Sequence, residues 1–124
     1  MNVKIDTKEK FTVITPQEPK LPANMTEELT KLLRSYTEKD PPHLVLNLEN
    51  VEQMDNSVVQ SISDTHDYFY SNDHSFVVCE MSKELVKNFE ENDVMQSLNY
   101  TPTESEAWDM IQMEEIEREL LNGE

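Results

Sequence analysis

His43-Leu-Val-Leu-Asn-Leu-Glu-Asn-Val-Glu-Gln-Met-Asp-Asn-Ser57 opens with a nearly continuous apolar run and closes in a polar turn. A strand with one wet face alternates apolar and polar residues, so an unbroken run suits a strand covered on both faces at the centre of a sheet. The residues that follow, 57 to 70, place Val58, Val59, Ile62, His66 and Phe69 on one side of a helical wheel at ~100° per residue. Ser57, Ser61, Asp64 and Tyr68, at i, i+4, i+7 and i+11, share a second side that has no need of burial. A central strand, a turn from Asn50 to Asn56 and an amphipathic helix make this stretch one half of an α/β layer.

Upstream, Asp40-Pro41-Pro42 ends an earlier helix, because the residue before a proline is driven out of the helical region. That helix, over about 25 to 38, carries Met25, Leu29, Leu32, Leu33 and Tyr36 at helical spacing, and Asn24 with Glu27 offers a capping box at its start. Earlier still, Val3, Ile5 and Thr7, then Phe11, Val13 and Thr15, alternate on either side of Lys8-Glu9-Lys10, the pattern of a hairpin. Pro16, Pro19 and Pro22 lack backbone donors, so Thr15 to Pro22 is expected as a loop.

Downstream, Ser71-Asn72-Asp73 closes the second helix without glycine, with Asn as the left-handed residue. Ser75 to Glu80 reads as a strand, Ser82 as the cap of a third helix carrying Leu85, Val86 and Phe89, and Met95 to Tyr100 as a weak fifth strand. Thr101-Pro102-Thr103-Glu104 starts a last helix with a hydroxyl cap, a proline at the first position and a glutamate at the third. The expected class is α/β: a mixed four- to five-stranded sheet with flanking helices and an opening β-hairpin.

The 124 residues suit one domain. Lys and Arg total 10 against 26 Asp and Glu, a formal charge of −16, and residues 1 to 40 hold seven of each sign, so the whole excess lies downstream. Such a chain is repelled by nucleic-acid phosphates and by anionic membrane surfaces, and neither is expected as a partner. The single glycine, Gly123, excludes glycine loops that cradle phosphates. The lone Cys79 sits in an apolar run and reads as a buried, inert thiol without a disulfide, in keeping with a reducing cytoplasm. No run approaches the ~18 apolar residues of a bilayer span, and the N-terminal stretch lacks the apolar core of an export signal. A cytoplasmic location is the expectation.

His43, His66 and His74 fall on a strand start, a buried helix face and a turn, with none at the spacing of paired metal ligands, and no metal or cofactor is expected. His66 reads as a core histidine whose ring nitrogen meets a backbone group. No carboxylate pair lies in an apolar setting suited to acid-base work, and Ser57 has no histidine on its own side of the helix, so no catalytic centre is visible. One feature is site-like. Met54-Asp55-Asn56-Ser57 feeds a helix N-terminus, where free amides and the helix dipole favour an anion. Ser57 with Gln60 also fits a capping box.

The stretch His43 to Ser57 resembles the STAS domain, specifically that of the bacterial anti-sigma factor antagonists. Leu21-Pro-Ala-Asn-Met-Thr-Glu-Glu-Leu29 is similar to that family's lead-in to its first helix, and Phe76-Val-Val-Cys-Glu-Met-Ser82 to its fourth strand and following cap. The resemblance covers roughly residues 3 to 112. It implies a non-enzymatic signalling domain in transcription regulation, whose second helix presents its N-terminus to an anti-sigma kinase that phosphorylates a serine there and so breaks the pairing. The family's usual turn, Asp-Ser-Ser-Gly, aligns with Asp55-Asn56-Ser57-Val58, which places Asn56 at the acceptor position, and Pro22 stands where an acidic residue is common. An uncharged amide takes no phosphoryl group, so the chain resembles a permanently dephosphorylated form. The partner implied is an anti-sigma factor or related kinase. The alternative is a non-switching scaffold or accessory subunit of a signalling or lipid-transport assembly. The partner surface expected is the stripe Ser57, Ser61, Asp64 and Tyr68 with the loop before the first helix at Asn24.

Beyond the resemblance, residues 113 to 124 form an acidic C-terminal helical extension to a domain of residues 1 to 112. Ala107, Trp108 and Ile111 fall on one side of the last helix, and Met113, Ile116 and Leu120 nearly opposite. One helix cannot bury both stripes on one sheet. Either the chain bends or frays after Gln112 with Glu114-Glu115-Ile-Glu117 solvated, or the second stripe packs on a second copy, as in a homodimer, or on a partner helix.

Overall fold

The computed structural model describes residues 1–122, so the last two residues of the expected extension, Gly123 among them, lie outside the described part. The hairpin forms as expected: β1 (Val3–Thr7) pairs antiparallel with β2 (Phe11–Pro16). β4 (His43–Asn47) lies parallel to β2 on one side and to β6 (Phe76–Cys79) on the other, and β7 (Tyr100–Thr101) pairs parallel with β6. The order β1-β2-β4-β6-β7 sets β4 at the centre of a mixed five-stranded sheet, with all five of its residues buried. A continuous apolar run fits that position because both faces of the strand are covered.

α1 (Thr26–Ser35), α2 (Asn56–Ser71) and α3 (Lys83–Glu91) cover one face. Their cluster includes Ile14, Leu29, Leu33, Leu44, Leu46, Val58, Ile62, Phe69, Val78, Leu85 and Phe89. The other face packs a single helix, α4 (Glu104–Asn122), with Ala107 and Ile111 set against Phe11, Val13, Val45, Val77 and Cys79. Among the described residues no helix is long and apolar enough to cross a membrane.

Several local expectations are displaced. Asn50 to Asn56 and Thr15 to Pro22 are not plain loops: β3 (Lys20–Leu21) and β5 (Gln53–Met54) form a short parallel ribbon beside the main sheet. Proline lacks a donor but keeps its carbonyl, and Pro19 O accepts from the N–H groups of Glu52 (2.8 Å) and Gln53 (3.0 Å). Asn24 does not cap α1. A 3-10 turn over Ala23–Met25 precedes it, and Met25 stands at the cap with no side-chain bond. Met95–Ser97 is a 3-10 turn, leaving only Tyr100 and Thr101 for the fifth strand.

The left-handed residue after α2 is Asp73 (φ 61°), not Asn72, and α3 ends in the same way with Asn92 followed by Asp93 (φ 59°). Aspartate tolerates this region better than most residues other than glycine. The cap of α4 shifts two residues on, because Thr103, not Thr101, accepts from the N–H of Glu106 (3.3 Å) while its hydroxyl donates to the Glu106 carboxylate (2.9 Å).

Candidate functional site: the turn entering α2

Asp55, in extended conformation, caps α2. Its Oδ2 accepts from the backbone N–H of Ser57 at 2.9 Å and from the Ser57 hydroxyl at 2.6 Å, and these bonds, the hydroxyl's foremost, hold its carboxyl below the usual carboxylate range. The capping box expected from Ser57 and Gln60 is therefore replaced by an aspartate cap. Ser57 is the second helical residue, and Gln60 reaches instead to the carbonyl of Asn92 (3.4 Å).

Asn56 opens the helix on the exposed surface, and its Oδ1 accepts from Asn92 Nδ2 at 3.1 Å. The strand end before it is fixed from two sides. Asp55 N–H donates to Leu21 O (2.9 Å), and Asn88 Nδ2 donates to Met54 O (2.9 Å). Asn88 on α3 and Asn92, the cap residue just past its end, thus brace the turn, a role that the sequence reading missed. Their i, i+4 spacing on a polar face was the available signal. Below the turn, Lys20, Leu21, Pro22, Gln53, Met54 and Asp55 line a shallow groove of about 280 Å³.

The stripe Ser57, Ser61, Asp64 and Tyr68 is not wholly free. Ser57 Oγ lies 3.1 Å from Thr26 Oγ1, and half-buried Ser61 shares a hydrogen bond with Thr30, so both serines stitch α2 to α1. Tyr68 keeps 37% of its surface exposed, but the Arg34 guanidinium stacks over its ring at 4.8 Å. Asp64 is exposed at the surface. Asn24, Asp55, Asn56 and Ser57 cluster at one end of the α1–α2 pair. Tyr68 stands eleven residues along α2 from Ser57, about 16 Å at 1.5 Å per residue.

The far half of α4 departs from the first of the two readings given for it. The helix does not fray after Gln112 but continues to Asn122. Glu114 is half-buried and engaged by the fold: Oε1 accepts from the Tyr70 hydroxyl (2.7 Å) and the Ser75 hydroxyl (2.5 Å), and Oε2 accepts from Asn99 Nδ2 (3.0 Å). Glu115 Oε1 is 2.7 Å from His43 Nε2, and Arg118 Nη2 donates to Ser75 Oγ (3.0 Å). His43 Nδ1 accepts from the Ser75 N–H (2.9 Å), which leaves the imidazole proton on Nε2, facing Glu115. Burial, opposed by Glu115, pulls the His43 pKa down, and burial with His43 nearby does the same to His74.

His66 is a further correction, since its Nδ1 lies 3.2 Å from the Asp67 carboxylate rather than at a backbone group and its ring leans on Tyr70. Cys79 is buried, and burial pushes its thiol upward in pKa, away from the reactive thiolate. Among the described residues no group of three or more His, Cys, Asp or Glu side chains converges to hold a metal.

Residues 2–107 match the family model of the STAS domain. A Thermotoga maritima protein described as an anti-sigma factor antagonist superposes with a TM-score of 0.79 at 15% identity, over 89% of this chain and 94% of its own. The Bacillus anti-sigma factor antagonist SpoIIAA, in its unphosphorylated form, gives 0.70 at 17% identity, over 90% and 96%. The murine anion transporter Slc26a9 gives 0.70 at 15% identity, over 87% of this chain and 18% of the transporter. At these identities the likeness is one of fold. No curated protein sequence gives a match.

Proposed function

The chain belongs to the STAS domain family, and from that premise we propose that it is a non-enzymatic interaction domain of the anti-sigma factor antagonist type, docking a protein partner through the turn entering α2. The proposed partner is an anti-sigma factor or related kinase, and the proposed contact surface is Asn24, Asp55, Asn56 and Ser57 with Ser61, Asp64 and Tyr68 along the α1–α2 seam. On this reading the domain acts in transcription regulation and is not switched at the usual serine.

The observation that carries the reading is the hydrogen bonding at Asn56 and Ser57. Asn56, at the family's acceptor position, offers an amide already engaged by Asn92. The neighbouring hydroxyl of Ser57 gives its proton to Asp55, and a phosphate placed there would stand against that carboxylate. A second reading, a non-switching STAS scaffold or accessory subunit of a signalling or lipid-transport assembly, is favoured by the same unphosphorylatable Asn56. The presence of this fold within a larger transporter chain is compatible with it.

The test is incubation with the cognate anti-sigma kinase and ATP, followed by intact mass. The native chain should bind the kinase and keep its mass, whereas Asn56→Ser should gain one phosphate and lose the complex. A phosphate on Ser57 of the native chain, or no binding at all, would overturn the proposal.

A further inference from the structure

The outer face of α4 carries an apolar surface that none of the described residues covers. Met113, Ile116 and Leu120 are 64%, 57% and 76% exposed, and Leu121 beside them 84%. Their i, i+3, i+7 spacing makes one continuous stripe. Along its edge runs a groove of about 520 Å³ between α4 and the β7 edge, with Met110 and Met113 as its apolar part and Glu106, Asp109 and Glu117 among its carboxylates. No Lys or Arg lines that groove, and Arg118, the one basic residue of α4, is turned inward to Ser75.

The stripe is held in place rather than trailing. Glu114, Glu115 and Arg118, on the opposite side of the same turns, are fastened to Tyr70, Asn99, Ser75 and His43. A prepositioned helix loses little conformational entropy on binding, which is what a docking platform requires.

We propose that this face of α4 binds an amphipathic basic helix of another protein, with apolar residues seated on Met113, Ile116 and Leu120 and Lys or Arg residues beside Glu106, Asp109 and Glu117. Charge selects this occupant over a second copy of the chain. Pairing α4 with α4 would bring together two helices whose exposed carboxylates, Glu106, Asp109, Glu117 and Glu119, face no basic side chain, the single arginine of each helix being turned inward. A basic helix meets the same carboxylates favourably, and the helix-in-groove mode reads apolar anchors at the spacing found here. The surface is separate from the α2 turn, because α4 packs on the other face of the sheet.

The full chain is titrated, by fluorescence anisotropy near physiological salt, with a labelled helical peptide of Leu and Lys that has leucines at i, i+3, i+4 and i+7. Its Leu/Glu counterpart is the control, and sedimentation measures the oligomeric state. The Leu/Lys peptide should bind a monomeric chain, and the Leu/Glu peptide should not. Met113→Ser/Ile116→Ser/Leu120→Ser, which leaves the charge unchanged and alters only exposed positions, should weaken binding by about tenfold or more. Glu106→Gln/Asp109→Asn/Glu117→Gln should weaken it by a factor that shrinks as salt is raised. Asn56→Ser should leave it intact, which separates this face from the α2 turn. Undiminished binding by the triple serine variant would mean attraction to net charge alone and overturn the proposal. So would equal binding of the Leu/Glu peptide, or a chain dimer dispersed by the serine variant.

Discussion

Replacing Glu114 with alanine tests whether the far half of α4 is part of the folded domain. Its carboxylate accepts three hydrogen bonds, from Tyr70, Ser75 and Asn99, at 2.7, 2.5 and 3.0 Å. Hydrogen bonds to a charged partner contribute ~1.5 to 3 kcal/mol each, so three would set an upper range of ~4.5 to 9 kcal/mol. That range is not reached here. The Tyr70 hydroxyl and Asn99 Nδ2 also bond each other, Ser75 keeps Arg118, and Glu114 itself is only half-buried, so water reaches what is left. The expected loss is ~2 to 4 kcal/mol. Alanine is a strong helix former, so no loss of helix propensity contaminates the number.

The reference is Glu117→Ala, an exposed position on the same helix, expected to stay within ~0.5 kcal/mol of the native chain. Urea unfolding gives the midpoints, and native-state hydrogen exchange over residues 113–121 reports whether the end of α4 opens separately from the sheet. A double-mutant cycle with Tyr70→Phe should return a coupling of ~1 to 2 kcal/mol. A Glu114→Ala midpoint equal to that of Glu117→Ala, with unchanged exchange in the last turns of α4, would refute the reasoning.

Three further outcomes are expected. His43 and His74 are held below the ordinary imidazole value of 6.5, chiefly by burial, so the native state takes up fewer protons than the unfolded chain. Stability is therefore full near neutral pH and declines as pH falls through about 6.5 toward the lowered native values. The urea midpoint should drop between about pH 7.5 and 5.5, with a shallower slope in His43→Gln. Tyr68→Ala removes a ring stacked only by Arg34 and should cost ~1 kcal/mol or less of stability while weakening the kinase complex by ~1 to 2 kcal/mol, measured by calorimetric titration. Ile111→Ala opens a cavity in the smaller core between α4 and the sheet and should cost ~2 to 5 kcal/mol in thermal or urea unfolding.

What could be read in the sequence follows the range of the interactions involved. The run from His43 to Leu48 declared a central strand because burial on both faces leaves its mark in every residue, and the five buried residues of β4 match it. Val58, Val59, Ile62 and Phe69 declared the inner face of α2 by periodicity alone. Ser82 capped α3 as expected, accepting from the Leu85 N–H at 3.1 Å, since a cap is settled within one turn of chain. Where two neighbouring residues can both cap, the choice is made elsewhere. Asp55 rather than Ser57 caps α2 because the β3–β5 ribbon, joined through Pro19 and Leu21 carbonyls, delivers Asp55 in extended form at the helix start. The bonds that fasten the end of α4 join residues 39, 44 and 72 positions apart in the chain. No local pattern encodes such a bond, which is why Glu114 and Glu115 read as solvated charge.

The direction of α4 connects these findings. It starts beside the C-terminal ends of the parallel strands, where Glu104 accepts from Asn47 Nδ2 (3.1 Å) and gives its N–H to Glu80 (2.9 Å). It finishes beyond their N-terminal ends at His43 and Ser75, having crossed the sheet antiparallel to β4 and β6. The turn entering α2 lies at the C-terminal end, the usual place for a site in open parallel sheets. The apolar stripe lies at the other end and on the other face. What keeps the two surfaces apart is the sheet itself, since α2 packs on one face and α4 on the other. A partner on the α2 turn therefore meets no steric conflict with a helix on α4. Affinity at either surface should be independent of occupancy at the other, unless the His43–Glu115 and Ser75–Arg118 contacts, which join α4 to the strand starts, change with one of them.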